Sequence, residues 1–496
     1  MVTIGDGFAP SRERFETVCS FLGGGDAAGL THAELEARLT VDLREVVRQL
    51  YQDHLDLRAA REQRCSAVIG TAEVHHGAVE AGHTRPLSTV FGEVAVTRLA
   101  YRHRGEDNLY PADGALNLPD ERHSHGLREL AGIEASRGSF EEAQAAIGRA
   151  TGVKVGKRQV EALASRSAVD FEGFYEQAAH ASTEVSELVV LSADGKGIVM
   201  RSDALRAATA KAAASSTSKL KTRLSKGEKR NRKRMAEVGA VYDATPVVRS
   251  PTDIIGRDEE APRPPAPKAT NKWLTASVAE DAASVIGKIF DEAERRDPTH
   301  ERTWVALVDG ARHQIDCIVA EAKGRQVEVT IVCDFVHVLE YLWKAAWSFF
   351  PEGDPAAEAF VAEKALAVLG GEASTVAASI RRKATRLGLE PRARENADRC
   401  ADYLLAKRDY LNYPRALEHG WPIATGVIEG ACRHLVKDRL DLTGSRWGLE
   451  GAESILKLRA LRANGDWDDY WSYHLRQEQR RVHESRYLNA VLPTAA

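Results

Sequence analysis

Three acidic residues stand where metal-assisted chemistry would need them. Asp194 ends the apolar run Leu188-Val189-Val190-Leu191-Ser192-Ala193, and Asp309 ends Trp304-Val305-Ala306-Leu307-Val308. Glu429 lies in Gly426-Val427-Ile428-Glu429-Gly430-Ala431-Cys432-Arg433, which reads as the start of a helix. Phosphodiester chemistry needs a water or hydroxyl made nucleophilic and a leaving oxygen stabilised, and two Mg²⁺ ions about 3.5–4 Å apart do both. Mg²⁺ prefers hard oxygen ligands and keeps several waters, so two or three carboxylates suffice. Asp194 and Asp309 at strand ends can converge, with Glu429 closing the site from above. The separations, 115 residues from Asp194 to Asp309 and 120 from Asp309 to Glu429, carry no information alone. An Asp before Gly at a strand end is commonly a turn residue, and a Glu near a helix N-terminus commonly serves the helix dipole.

A competing pair is Asp334 and His337, three residues apart and so on one helix face. They read as metal or DNA ligands, as supports for a catalytic carboxylate, or as a helix cap with a buried ring; a supporting role is the expectation. A basic run lies between Lys211 and Arg234: Lys211, Lys219, Lys221, Arg223, Lys226, Lys229, Arg230, Arg232, Lys233 and Arg234 against the single acid Glu228. Neutralising nucleic-acid phosphates is its natural use; a solvated loop is the plain alternative. Glu429, Arg433 and Lys437 fall at i, i+4 and i+8 on one helix face, suited to a polyanion lying along it or to a salt-bridge ladder. Arg439, Arg446 and Trp447 continue the basic and aromatic content, with Trp447 placed to stack on a base or to pack.

The elements that must hold these residues read as follows. Residues 1–75 have helical spacing, as in Leu43–Leu50. Thr89–Arg98 carries β-branched residues around Gly92, which predicts short strands within 76–115. Ser139 with Glu142 predicts a capped helix from Phe140 to near Gly152, followed by a turn and a helix from Arg158: a helix-turn-helix outline, or an ordinary helical hairpin. Leu188–Asp194, Ile198–Met200 and Glu237–Tyr242 read as three strands, residues 274–296 as a helix, and Trp304–Asp309 and Val327–Asp334 as two more strands with helices after each. That β-β-β-α-β-α-β-α order, with carboxylates at strand ends, describes an α/β ribonuclease-H-like core with a mixed sheet, in a multidomain α+β chain. The expected regions are a helical 1–75, a small β and helix-turn-helix-like 76–180, a first core part 181–350 with a basic insertion at about 205–235, a helical insertion 351–420, a second core part 421–475 carrying Glu429, and a tail 476–496.

Composition sets the limits. The chain of 496 residues carries 68 Lys+Arg against 72 Asp+Glu, so it is not a wholly basic coat for nucleic acid, though charge is segregated along it. Hydrophobic residues at 43% and charged residues at 28% mark a soluble globular chain. The longest apolar runs, Leu188–Leu191 and Val329–Cys333, fall far short of the roughly 20 residues a membrane helix needs. Six scattered cysteines without a CxxC pair, and no basic start followed by an apolar stretch, predict a reduced cytoplasmic protein.

Five ordered stretches, LSADGKG at Leu191–Gly197, KLKTRLSKGEKRNRKRM at Lys219–Met235, WVALVDGARHQ at Trp304–Gln314, TIVCDFVHVLEYLW at Thr330–Trp343 and GVIEGACRHLVK at Gly426–Lys437, resemble bacterial insertion-sequence transposases of the ISKra group. The likeness runs from about residue 85 to 475 and takes in TVFGEVAVTR, LYPAD and DLTGSRWGLEGAESILKLRA. It implies a D-D-E transposase with a ribonuclease-H-like core interrupted by a helical insertion. Carried over, the metal-holding catalytic acids are Asp194, Asp309 and Glu429. Asp334 and His337 form an accessory motif; with the strand count off by one, Asp334 replaces Asp309. The expected cofactor is Mg²⁺ or Mn²⁺, two ions per site. The expected partners are the element's terminal inverted repeats and target DNA, nucleoid-associated when bound, and a second copy of the chain, since two DNA ends need two active sites. Lys219–Arg234, Arg433 and Lys437 would grip phosphates. Relatives carry paired cysteines in the small β region; residues 75–115 here contain none, so no zinc site is expected. A domesticated DNA-binding protein without catalysis, and a nuclease that cuts without joining, are the alternatives.

Overall fold

Thr31 and Glu34 close a reciprocal capping box, the Thr31 hydroxyl accepting from the Glu34 amide at 3.4 Å and the Glu34 carboxylate accepting from the Thr31 amide at 2.9 Å. The cap starts the longest helix of a computed structural model that describes residues 6–177, 187–215, 232–256, 263–442 and 444–494. The chain divides into two compact units, Met1–Gln177 with Gly465–Ala496, and Ala178–Asn464. The boundary expected at 475 therefore falls at Gly465, and the final segment belongs to the first unit. No helix among the described residues is long and apolar enough to cross a membrane.

In the first unit, helices α1 (Ala9–Leu22) and α2 (His32–Ala60) precede an antiparallel hairpin, β1 (Ala78–Thr89) and β2 (Gly92–Arg102). These strands are longer than the sequence suggested. Leu55 of α2 packs with Leu87, Val94 and Val96 of the hairpin. Helices α3 (His125–Arg137), α4 (Phe140–Thr151) and α5 (Lys157–Arg166) follow. The Ser139–Glu142 capping box forms as expected, and Gly152 ends α4 at φ +76°. Leu127, Ala131, Ile147, Val160 and Leu163 form the buried seam. A polar knot ties this cluster to the helix Trp467–Glu478: Arg128, 0% exposed, meets Glu478 at 2.6 Å and Glu121 at 2.7 Å, and lies 3.2 Å from His474.

The second unit is built on a mixed five-stranded sheet: β3 (Leu188–Val199), β4 (Lys233–Ala244), β5 (Ala269–Ser277), β6 (Trp304–Val308) and β7 (Val329–Cys333), in spatial order β5-β4-β3-β6-β7. β3, β4 and β5 pair antiparallel, while β3, β6 and β7 run parallel. The element order is the expected one, but its members differ. Leu188–Asp194 and Ile198–Val199 are one strand, because Gly195-Lys196-Gly197 pairs straight through with Glu237, Ala236 and Met235. A Cβ on Gly195 would lie 2.9 Å from the Cε at the flexible end of Met235, and the residue continues the strand instead of turning the chain. The third strand is β5, and it takes in residues 274–277 at the start of the stretch with helical spacing.

Helix α6 (Ala282–Arg296) joins β5 to β6, and α7 (Arg312–Arg325) joins β6 to β7. On one face of the sheet, Val190, Leu307 and Val332 share a continuous core with α8 (Phe335–Ala346) and with α9 (Pro355–Leu369), α10 (Ala373–Arg386) and α11 (Pro391–Ala406). The helical insertion is thus packed into the core that carries the strands. Beyond it come α12 (Gly426–Ala431), a π-helical stretch Cys432–Lys437, and α13 (Leu449–Asn464).

Candidate active site

The strand register does what sequence separation could not. Parallel pairing sets Leu191 opposite Ala306 and Ser192 opposite Leu307, and the same 115-residue offset separates Asp194 from Asp309. Val308 is opposite Cys333, and the same 25-residue offset separates Asp309 from Asp334. The three acids therefore continue one row across three neighbouring strands. By strand alternation the row falls on the face of Val190, Leu307 and Val332. It lies at the C-terminal ends of β6 and β7, where ligands of α/β sheets collect.

The acids differ in what already holds them. Asp194 is half-buried; one oxygen accepts from the Gly195 amide at 2.6 Å and the other from the Cys432 thiol at 3.2 Å. Burial and the Asp194 carboxylate push the Cys432 thiol up, so it stays a protonated donor. Asp309 is also half-buried, with one oxygen accepting from the Ala311 amide at 2.7 Å. Gly310 follows at φ +92°, a backbone conformation that only glycine adopts without strain. Asp334 is 0% exposed. It caps α8 through the Val336 amide at 2.9 Å, accepts from the Thr425 hydroxyl, and lies 3.8 Å from the His337 Nδ1. Both of its oxygens tie the end of β7 to Thr425, the residue before α12. The geometry favours Asp309 over Asp334 as the open acid of the row, and gives Asp334 and His337 a supporting position.

Glu429 sits in α12, exposed, its amide bonded to the Thr425 carbonyl at 3.1 Å. Partial desolvation raises its carboxyl above the usual range, and the negative charges of Asp334, Glu340 and Asp194 raise it further while His337 opposes them. Glu429, Asp194 and Asp334 thus share one electrostatic neighbourhood, and Cys432, three residues on, anchors this segment to Asp194. The π-helical stretch that begins at Cys432 bears on the Arg433 and Lys437 face. In a regular α-helix Lys437 would point about 80° away from Glu429; the wider i→i+5 turn lessens the rotation per residue and brings it back toward that direction. Arg433 and Lys437 are both exposed, Arg433 lying 3.8 Å from Asp438.

The other expected residues divide. Lys219, Lys221, Arg223, Lys226, Lys229 and Arg230 lie outside the described residues. Arg232 and Lys233 are described at the start of β4. Arg234 is a correction: its guanidinium donates to the carbonyls of Val278 at 2.7 Å, Ala279 at 3.0 Å and Ala204 at 3.3 Å, which gives it a structural use. Trp447 packs rather than waiting for a base; it is 5% exposed, bonds the Leu440 carbonyl at 3.0 Å and lies under Arg439 at 4.7 Å. Sequence reasoning missed Thr425 and Cys432, which no spacing rule marks. It also missed Lys196, half-buried two residues beyond Asp194 on the same strand face, whose charge bears on Cys432. In the first unit, Lys154, Lys157 and Arg158 are exposed at the start of α5.

Among the described residues, no three His, Cys, Asp or Glu side chains are grouped closely enough to hold a metal ion as they stand. The donor set is nevertheless of the right kind: carboxylate oxygens, of which Mg²⁺ needs one or two beside its retained waters. No protein-family model matches the chain, and no curated protein matches it.

Proposed function

We propose that this chain is a DNA transposase of the D-D-E, ribonuclease-H-like type, cutting and joining DNA strands at the ends of a mobile element. The observation that carries the reading is the register row of Asp194 and Asp309 with the Glu429 segment fastened to Asp194 by Cys432. The strand order β5-β4-β3-β6-β7, antiparallel then parallel, agrees with a ribonuclease-H-like core, and the ordered motifs resembling ISKra transposases point the same way. Asp194, Asp309 and Glu429 would hold two Mg²⁺ or Mn²⁺ ions. When bound, these ions supply a nucleophile at neutral pH and charge for the leaving oxygen. Asp334 and His337 keep the start of α12 in place. Arg433, Lys437 and the basic run from Lys219 to Lys233 meet backbone phosphates. Lys154, Lys157 and Arg158 on the α4–α5 pair suit contact with the terminal repeats. Joining two ends in concert calls for at least a dimer.

The test is a strand-transfer assay with labelled DNA bearing the element's ends. Wild type is expected to nick and join in Mg²⁺, while Asp194→Ala shifts the DNA on a gel but neither cuts nor joins. Nicked products alone make the protein a nuclease. Equal activity of the two proteins removes the enzyme reading.

A further inference from the structure

The end of α11 reaches the turn that carries Asp309. The Tyr403 hydroxyl donates to the Asp309 carbonyl at 3.1 Å. Its ring stacks on Tyr341 of α8, with centroids 4.2 Å apart and planes 13° apart, so the hydroxyl is held from the core side and not by the turn itself. Lys407, four residues on, comes alongside: its Cε lies 3.5 Å from where a Cβ on Gly310 would sit. Its charge also bears on the Cys333 thiol at the end of β7. Lys407 is half-buried, and among the described residues it forms no ion pair. A half-buried ammonium without a carboxylate partner, beside the turn that carries Asp309, has an evident use where that acid meets a polyanion. It offsets the repulsion between the acids and a phosphate and fixes that phosphate by a charge-assisted hydrogen bond.

Building on the reading of the acid row as a DNA-cutting site, we propose that Lys407 contacts a backbone phosphate of the strand laid across Asp194 and Asp309, and that Tyr403 is a positioning residue for the Asp309–Gly310 turn. The helical insertion is then part of the active site rather than a spacer before Glu429. The shared core of the sheet and helices α8–α11 gives it the rigidity to place both groups.

The experiment uses the full chain and duplex DNA carrying an element end, with Lys407→Ala, Lys407→Arg and Tyr403→Phe beside wild type. Lys407→Ala is expected to lower kcat/KM about 10- to 100-fold, mainly through KM. It should also flatten the dependence of log affinity on log salt by about 0.9, the value for a single phosphate. Lys407→Arg should restore most of both. On wild type, a neutral methylphosphonate at one position near the cut should reproduce the Lys407→Ala loss, and it should add nothing in the variant. That arm decides the matter even where Lys407→Ala folds poorly. Tyr403→Phe keeps the ring stack and should lower kcat with DNA affinity and salt slope unchanged. Wild-type KM and salt slope in Lys407→Ala, or a methylphosphonate loss that adds to the variant's, overturns the Lys407 contact. Unchanged kcat in Tyr403→Phe overturns its positioning role. Should wild type show no Mg²⁺-dependent cleavage that Asp194→Ala abolishes, the underlying reading fails and this proposal with it.

Discussion

Asp334 and Asp309 show how two acids at neighbouring strand ends take different work. Asp334 has no exposed surface and is surrounded by donors, whereas Asp309 keeps a half-open carboxylate on a glycine-shaped turn. Removing a donor from a buried carboxylate leaves it short of a partner, at a cost of about 1–3 kcal/mol. Thr425→Val is therefore expected to lower unfolding stability by that amount in urea titration. On the proposed function it should also slow strand cleavage, because the start of α12 keeps only the longer amide bond of its two bonds to Asp334. Thr425→Ser keeps the hydroxyl and should behave nearly as wild type. Gly310→Ala acts at the other acid. It forces a side chain into the positive-φ region and brings a Cβ to 3.2 Å from the Cys333 Sγ. A loss of about 1–3 kcal/mol and a fall in cleavage, with DNA binding retained, are expected.

At the scale of elements, the acids of the row were legible because an apolar run closed by Asp is a local pattern, as at Leu188–Asp194 and Trp304–Asp309, although β3 runs on through Asp194 to Val199. Strand β5 was not. Its outer residues Asn271 and Lys272 are exposed, Asn271 sits at φ +47°, and the pairing with β4 is irregular between Val241 and Asp243, so no clean alternation marks it. Register was equally hidden: a 115-residue offset means nothing until β3 and β6 are known to lie side by side. The Cys432 bond to Asp194 and the approach of Lys407 to Gly310 join segments 238 and 97 residues apart, and only the folded chain brings them together. The basic run, legible from composition, is testable without coordinates. Replacing Lys229, Arg230, Arg232 and Lys233 by Ala should reduce the salt slope of DNA binding by about 0.9 for each phosphate no longer neutralised. An unchanged slope makes the run a bystander.

At the scale of the molecule, the first unit is held by a charged knot as well as by apolar seams. Arg128 is fully buried and Glu478 is 2% exposed, so breaking the pair leaves that guanidinium with Glu121 as its remaining carboxylate. Glu478→Gln is expected to cost about 1–3 kcal/mol, read as an early unfolding transition of that unit. Arg128 holds the Glu478 carboxyl below its usual range against the opposing effect of burial. The stability this adds is full above the ordinary carboxylate range and is lost as pH falls through the depressed value. Acid titration of wild type should therefore show a stability loss in that window that Glu478→Gln lacks. The central claim is that Asp194, Asp309 and Glu429, from three distant parts of the chain, share one divalent-cation site. Fe²⁺ substituted for Mg²⁺, with ascorbate and peroxide, cuts the polypeptide where the ion sits. Cuts clustered near residues 194, 309 and 429, suppressed by excess Mg²⁺ and by Asp194→Asn, are the expected result. Cuts at only one of these positions, or elsewhere and insensitive to Asp194→Asn, would contradict it.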